Sequence, residues 1–244
     1  MTGVPAPSHA PARANPFEMM RRALLLDPPR TEVVLVRHAQ QVPGGVRANQ
    51  APAYDRPLSD LGCRQAAVVA EYLASEQFEA VYCSELSRAR DTAVAVCSAA
   101  GRQPPTTLAA LNEVEVFGGL PATGASVGEI LQEAALEGVL GAYQRTRRWD
   151  ALPFSESSMS LRRRALASFE QIATAHAGGK VCVVSHGGVM NAFLAEALAI
   201  GIDMFFQPAH ASVARVYHWE NTWAMLTLNQ VEHLSRTDPA LVTY

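Results

Sequence analysis

The 244 residues contain no apolar run long enough to span a bilayer, no Cys-x-x-Cys pair and no excess of positive charge. Each absence removes a class of function. A spanning helix needs about 20 consecutive apolar residues, so no membrane partner is expected. The four cysteines, Cys63, Cys83, Cys97 and Cys182, have neither the spacing of a zinc site nor the density of a disulfide framework. Reduced thiols and a cytoplasmic location follow as the expectation. A net charge of −3 offers no basic field for nucleic acid. Residues 1–16 are mostly Ala and Pro and lack the continuous apolar core of a signal peptide. They read as part of a mobile extension over residues 1–30, with a short helix over Phe17–Leu26.

What is present is a strand–helix rhythm. Val33-Val34-Leu35-Val36 is a short β-branched run, the pattern of a strand buried on both faces of a parallel sheet. It stops at Arg37-His38. A loop rich in Gly, Pro and Asn follows to Pro57, then a helix capped at Ser59 or Asp60 and running to about Ser75. Its expected buried face is Ala66, Val69, Ala70 and Leu73. Ala80–Cys83 reads as a second strand, Glu85–Ala99 as a second helix, and Thr107–Leu111 as a weak third strand. Residues 126–149 look helical, with Gly138 and Gly141 as weak points. A helix over Ser157–Ala177 carries Arg162-Arg163-Arg164, mostly a solvated face with some members at a substrate entrance. Lys180–Ser185 is another buried strand, ending on His186-Gly187-Gly188 before a helix over Val189–Ala199. Ala211–Trp219 and Thr222–Leu228 form a hairpin around Glu220-Asn221, and Glu232–Tyr244 reads as a polar, mobile tail. The pattern predicts one α/β domain over residues 31–230, a cap inserted over about 118–154, and a tail over 231–244. The exposed final strands leave room for a homodimer.

Two histidines, His38 and His186, thus each close a buried strand, where open α/β sheets place their ligand crevice. Arg37 adds a planar, permanently charged fork suited to phosphate or carboxylate. Arg88 adds a second guanidinium in a first helical turn at the same edge, the competing expectation being a surface arginine paired with Glu85 or Asp91. Gly187-Gly188 lets backbone approach a ligand. Glu113 and Glu115 put carboxyl groups at another element end, where one can serve as a general acid.

In order along the chain, Arg37-His38, Leu58-Ser59-x-x-Gly62-x-x-Gln65-Ala66, Ser84-x-Leu86-x-Arg88-Ala89-x-x-Thr92-Ala93, Leu111-Asn112-Glu113 and Ser185-His186-Gly187-Gly188 resemble the histidine phosphatase superfamily, the phosphoglycerate-mutase-like group. The resemblance runs from about residue 31 to residue 219. It implies a three-layer α/β/α sandwich with a mostly parallel central sheet. It also implies a metal-independent, cofactor-free phosphomonoesterase acting on a small phosphorylated metabolite. His38 would become phosphorylated. Arg37, Arg88, His186 and the Gly187 N–H would bind the phosphoryl oxygens, with Gln40 beside them. Glu113 would be the general acid and then base, and a backbone carbonyl would hold the other ring nitrogen of His38.

This sequence departs from the family pattern in several places. Ala39 replaces the signature glycine, Gly44 stands where an Asn is expected, and Ser155-Glu156-Ser157 lacks the glycine of a Gly-Glu-Ser segment that precedes an Arg, here Arg164. Gly118 follows Glu113 by five positions rather than four, which keeps Glu115 as a rival acid. A cofactor-dependent mutase is the first alternative, but residues 41–49 have no Trp and only Arg47. A phospho-ligand binding protein with decayed chemistry is the second.

Overall fold

Strand β1 (Thr31–Arg37) feeds two cores at once, because successive strand side chains point to opposite faces. Val33 and Leu35 join one apolar cluster; Val34 and Val36 join another. The computed structural model of the chain describes residues 15–24, 29–43, 55–119 and 127–244. Residues 1–14 and 25–28 of the expected extension over 1–30, and the centre of the loop after β1, lie outside these.

The described residues form a mixed six-stranded sheet in the order β3-β2-β4-β1-β5-β6, with β2 at Ala80–Cys83, β3 at Thr106–Thr107, β4 at Lys180–Ser185, β5 at Val213–Trp219 and β6 at Thr222–Gln230. The pairs β1–β4, β2–β4 and β2–β3 are parallel, and β1–β5 and β5–β6 are antiparallel. Helix α1 (Pro16–Ala23) precedes β1 and buries no residue. Helices α2 (Asp60–Leu73) and α3 (Ser87–Ala99) cover one face through Ala66, Val69, Leu73, Ala89, Ala93 and Val96. Between β3 and the other face run α4 (Val127–Leu131) and α5 (Glu133–Thr146). Helices α6 (Ser158–Ala175) and α7 (Gly187–Ala197) cover that second face, where Phe169 and Phe193 stack with ring centroids 4.0 Å apart. The chain leaves β1 towards β2 by way of α2 and leaves β4 towards β5 by way of α7. The β1–β4 seam is therefore the point where the winding reverses, and a crevice opens there.

Most boundaries fall where the sequence puts them. Ser59 caps α2, its hydroxyl accepting from the Gly62 N–H at 3.0 Å, and Ser157 caps α6. Glu220 and Asn221 both take positive φ, 46° and 60°, as a two-residue hairpin turn requires. The weak third strand shrinks to Thr106–Thr107, because Ala109–Leu111 tightens into a 3₁₀ turn that delivers Leu111 to the core. The helical stretch breaks at neither glycine but at Gln132, whose φ is 61°. Two of the three consecutive arginines are not solvated: Arg162 pairs with the fully buried Asp203 at 2.7 Å, and Arg164 pairs with Glu156 at 2.7 Å. Asp203 also accepts from the Trp149 N–H and the Ser158 hydroxyl, tying the end of the 127–151 region to α6.

The expected mobile tail is ordered. After β6 the chain forms α8 (Glu232–Thr237) and a 3₁₀ turn, and packs Leu234 and Leu241 into the α2–α3 core. The segment is polar overall, so two buried leucines seven residues apart were too sparse a signal. Leu234→Ala should lower unfolding free energy by about 2–4 kcal/mol, the usual cost of a cavity left by a buried leucine. Chemical denaturation would read it, and a loose tail would show no loss.

Candidate active site

β1 and β4 end side by side, with Arg37 opposite Ser185. The backbone continues the pairing for one more step: the His38 N–H donates to the Ser185 carbonyl at 2.9 Å. This brings the two expected histidines together at the crevice, their ring centroids 4.9 Å apart. Ser84, just past β2, adds its hydroxyl at 2.7 Å from Nε2 of His186.

The protonation pattern follows from the partners. Nδ1 of His38 lies 2.7 Å from the Ala39 carbonyl, which can only accept. The proton is therefore assigned to Nδ1, and Nε2 keeps its lone pair, facing the Arg88 Nε–H at 3.2 Å. Burial, first, and then His186, Arg88 and Arg37 hold the His38 pKa well below its usual value, while the Ala39 bond works the other way. A neutral imidazole with a directed lone pair is a nucleophile ready for use. The Leu86 N–H donates to the Ser84 oxygen. The assignment that uses every group has the Ser84 proton given to Nε2 of His186, leaving Nδ1 as the N–H. That Nδ1 has no hydrogen-bond partner among the described residues.

Arg88 is buried rather than paired on the surface, at 4% exposure. Arg37 donates to the Pro208 carbonyl and, at 3.1 Å, to Nε2 of His210. Its Nε has no partner among the described residues. Burial, opposed by Glu113 and aided by Arg88, lowers the Arg37 pKa to about 10, so it stays charged at neutral pH. A buried and a half-buried guanidinium and an imidazole N–H at one strand edge make a socket for a compact anion with several oxygens.

Glu113 reaches the same place from the loop after β3. Its carboxylate accepts from its neighbour Val114 N–H at 2.9 Å and from the Gly188 N–H, at the start of α7, at 3.3 Å. A methyl group on Gly188 would stand 2.5 Å from Oε1 of Glu113 and 3.0 Å from Cγ1 of Val114. Glycine is thus what admits the carboxylate. Glu115 is exposed and its side chain lies against Gly118. Arg164 clamps the Glu113 loop, donating to the carbonyls of Ala110 and Asn112 at 2.8 Å each. A cleft of about 560 Å³ opens beside Glu113, lined also by Asn112, Glu115, Phe154 and Arg164.

Gly187 opens α7 directly after His186. The side-chain oxygen of Gln40 accepts from Ser59 at 2.7 Å, and its N–H donates to Gln65 at 2.8 Å. The sequence reading missed His210, which is 7% exposed and 5.7 Å from His38 between ring centroids. It also gave no role to Thr92, whose hydroxyl accepts from the Ala39 N–H at 3.1 Å. His210 precedes an antiparallel strand, so a search of residues that follow parallel strands passes over it. Among the described residues no group of three or more His, Cys, Asp or Glu is placed to hold a metal ion, and no helix is long and apolar enough to cross a membrane.

His38, His186 and His210 are all held neutral by burial, His210 down to about 3. In the unfolded chain each takes up a proton below about pH 6.5, while the folded protein does not. Stability must therefore fall as pH drops below that value, by up to about 1.4 kcal/mol per pH unit for each histidine. Calorimetry should show Tm decreasing steadily from pH 7 to pH 5; a flat Tm would contradict the neutral buried rings.

Comparison with known proteins agrees with the geometry. The chain is 30% identical over 212 residues to a metal-independent phosphoserine phosphatase of Arabidopsis thaliana, covering 84% of each chain. It is 28% identical over 204 residues to the probable phosphoglycerate mutase GpmB of Yersinia pestis, covering 79% of this chain and 87% of that one. Among solved structures it superposes on a mycobacterial glucosyl-3-phosphoglycerate phosphatase with a TM-score of 0.66 at 25% identity, over 82% of this chain and 99% of that one. The model of the histidine phosphatase superfamily (branch 1) matches residues 33–231, and the chain belongs to that superfamily.

Proposed function

We propose that this chain is a metal-independent phosphomonoesterase that hydrolyses a small phosphorylated metabolite through a phosphohistidine on His38. The observation that carries the reading is the Nδ1–Ala39 carbonyl bond. It leaves Nε2 as the only nucleophilic nitrogen of a neutral ring set between two guanidiniums. In the first step Nε2 attacks phosphorus. The P–O bond to the leaving group breaks, and Glu113 gives its proton to the departing oxygen. In the second step Glu113 takes a proton from water, whose oxygen attacks phosphorus, and the P–N bond breaks to return His38 and free phosphate.

Charge on the phosphoryl oxygens meets Arg37, Arg88, the His186 Nδ1–H and the Gly187 N–H, which is where such a reaction needs its stabilisation. Gln40, anchored by Ser59, would stand beside the same group. The cationic ring of the phosphohistidine keeps its Nδ1–H on the Ala39 carbonyl. The cleft beside Glu113 is where the leaving group would lie. The named substrate of the Arabidopsis relative makes phosphoserine the first compound to try. Cys83, Cys97 and Cys182 are buried as free thiols, which suits a reducing cytoplasm.

The test is hydrolysis of p-nitrophenyl phosphate and phosphoserine in EDTA, with 3-phosphoglycerate as an alternative phosphoryl acceptor. Wild type should turn over both esters with water as acceptor, and an alkaline quench should trap phosphate on the protein. His38→Ala should remove turnover and trapped phosphate together. Transfer to 3-phosphoglycerate in preference to water would make the chain a mutase instead.

Glu113→Gln should slow phosphoserine about 10²–10⁴-fold, the usual range for a lost general acid. The loss should be smaller for p-nitrophenyl phosphate, whose leaving group needs no proton. Gly188→Ala should reproduce that leaving-group pattern by displacing Glu113, with inorganic phosphate still competing at its wild-type Ki. An equal loss on both esters would mean that Glu113 is not the acid.

A further inference from the structure

The outer side of Arg37 is not in water. One terminal nitrogen donates to the Pro208 carbonyl, and the other to Nε2 of His210. A guanidinium can only donate, so Nε2 of His210 carries the lone pair and Nδ1 carries the proton. Nδ1 lies 3.1 Å from the Thr243 hydroxyl oxygen, which must therefore accept. The His210 N–H also donates to the Thr243 carbonyl at 2.8 Å. The same hydroxyl oxygen accepts from Nε2 of Gln65 at 2.9 Å, and that amide donates as well to the Leu241 carbonyl at 2.7 Å. Gln65 is fully buried, and its oxygen receives the Gln40 N–H at 2.8 Å. Thr243 thus stands where two arms of the site meet. One arm runs Gln40–Gln65 behind the loop that follows His38, and the other runs His210–Arg37 on the guanidinium itself.

We propose that Thr243 and His210 are positioning residues for phosphate: the Thr243 hydroxyl fixes the His210 tautomer and ring plane, and His210 in turn aims the Arg37 guanidinium. The other His210 tautomer, with its proton on Nε2, would present an N–H to Arg37, donor against donor, and the guanidinium would have to swing away. A protonated ring would add like charge. Burial and Arg37 together hold the His210 pKa at about 3, which keeps that form out of reach at neutral pH. Neither residue needs to touch the substrate; both act through Arg37. The leucines of the tail supply the anchoring that lets one hydroxyl be held this closely. The inference rests on the phosphoryl-binding reading of Arg37, and it adds the final segment of the chain to the active site.

Thr243→Val keeps shape and removes the acceptor, and Thr243→Ser restores it. Inorganic phosphate binding, measured by calorimetry at pH 7, needs no turnover. It therefore separates a failure of this inference from a failure of the phosphatase reading. Thr243→Val should weaken phosphate roughly tenfold, the usual scale for one misdirected charge-assisted hydrogen bond. For p-nitrophenyl phosphate the KM should rise by a similar factor. Thr243→Ser should return phosphate affinity to within about threefold, and His210→Leu should match Thr243→Val. Unchanged phosphate affinity in Thr243→Val would overturn the proposal, whether or not Tm falls. So would loss of affinity in Thr243→Val and Thr243→Ser alike, because the hydroxyl would then not be the cause.

Discussion

A single hydrogen bond, from Nδ1 of His38 to the Ala39 carbonyl, decides what the crevice can do. It holds the ring in one tautomer, and the other nitrogen becomes a lone pair aimed among donors. An imidazole facing two guanidiniums at a buried strand edge is poor at holding a second proton. The ring therefore stays neutral and keeps that lone pair free. Everything around it either keeps that ring in place or gives the neighbouring charges something to do.

The neighbouring charges are the harder part to fold. Arg88 is buried and Arg37 half-buried, and the charges of each lower the proton affinity of the other groups. Buried cations are tolerated only when their donors are met. Here the protein meets the outer donors with carbonyl and imidazole lone pairs, at Pro208 and His210, and leaves Nε of Arg37 and Nδ1 of His186 without a partner among the described residues. Glu113, whose carboxylate accepts from two backbone N–H groups, offsets part of the positive field at Arg37. A site tuned in this way costs stability, which the two apolar cores on either face of the sheet offset.

Rigid supports carry these groups. Arg164 and Glu156 hold the Glu113 loop through its carbonyls, Ser84 fixes His186, and Thr92 and Gln65 take the N–H groups of Ala39 and Gln40. None of these supports comes from the element that bears the group it supports. That division explains why several residues quoted only as motif members turn out to be buried and hydrogen-bonded. Gln65 faces the core of α2 at 0% exposure because its amide has partners on both the loop after β1 and the C-terminal segment.

The sequence alone determined the parts whose signal is local. β-branched runs ending in Arg37-His38 and Ser185-His186-Gly187-Gly188 show buried strands, because a run apolar on both faces has one stable setting. The same runs show which residues stand at the carboxyl edge. Capping residues and hairpin chemistry placed α2, α6 and the β5–β6 turn for the same reason. Only the tertiary structure decided the rest. His210 reaches the site because β5 runs antiparallel to β1, so its beginning, not its end, lies at the crevice. Thr243 reaches it because two leucines pin a polar tail beside Gln65, 178 positions away in the chain. Such contacts leave no periodicity in the sequence. They exist only once the sheet has set which edge each strand presents, and a hydrogen bond between distant segments is specified by that geometry alone.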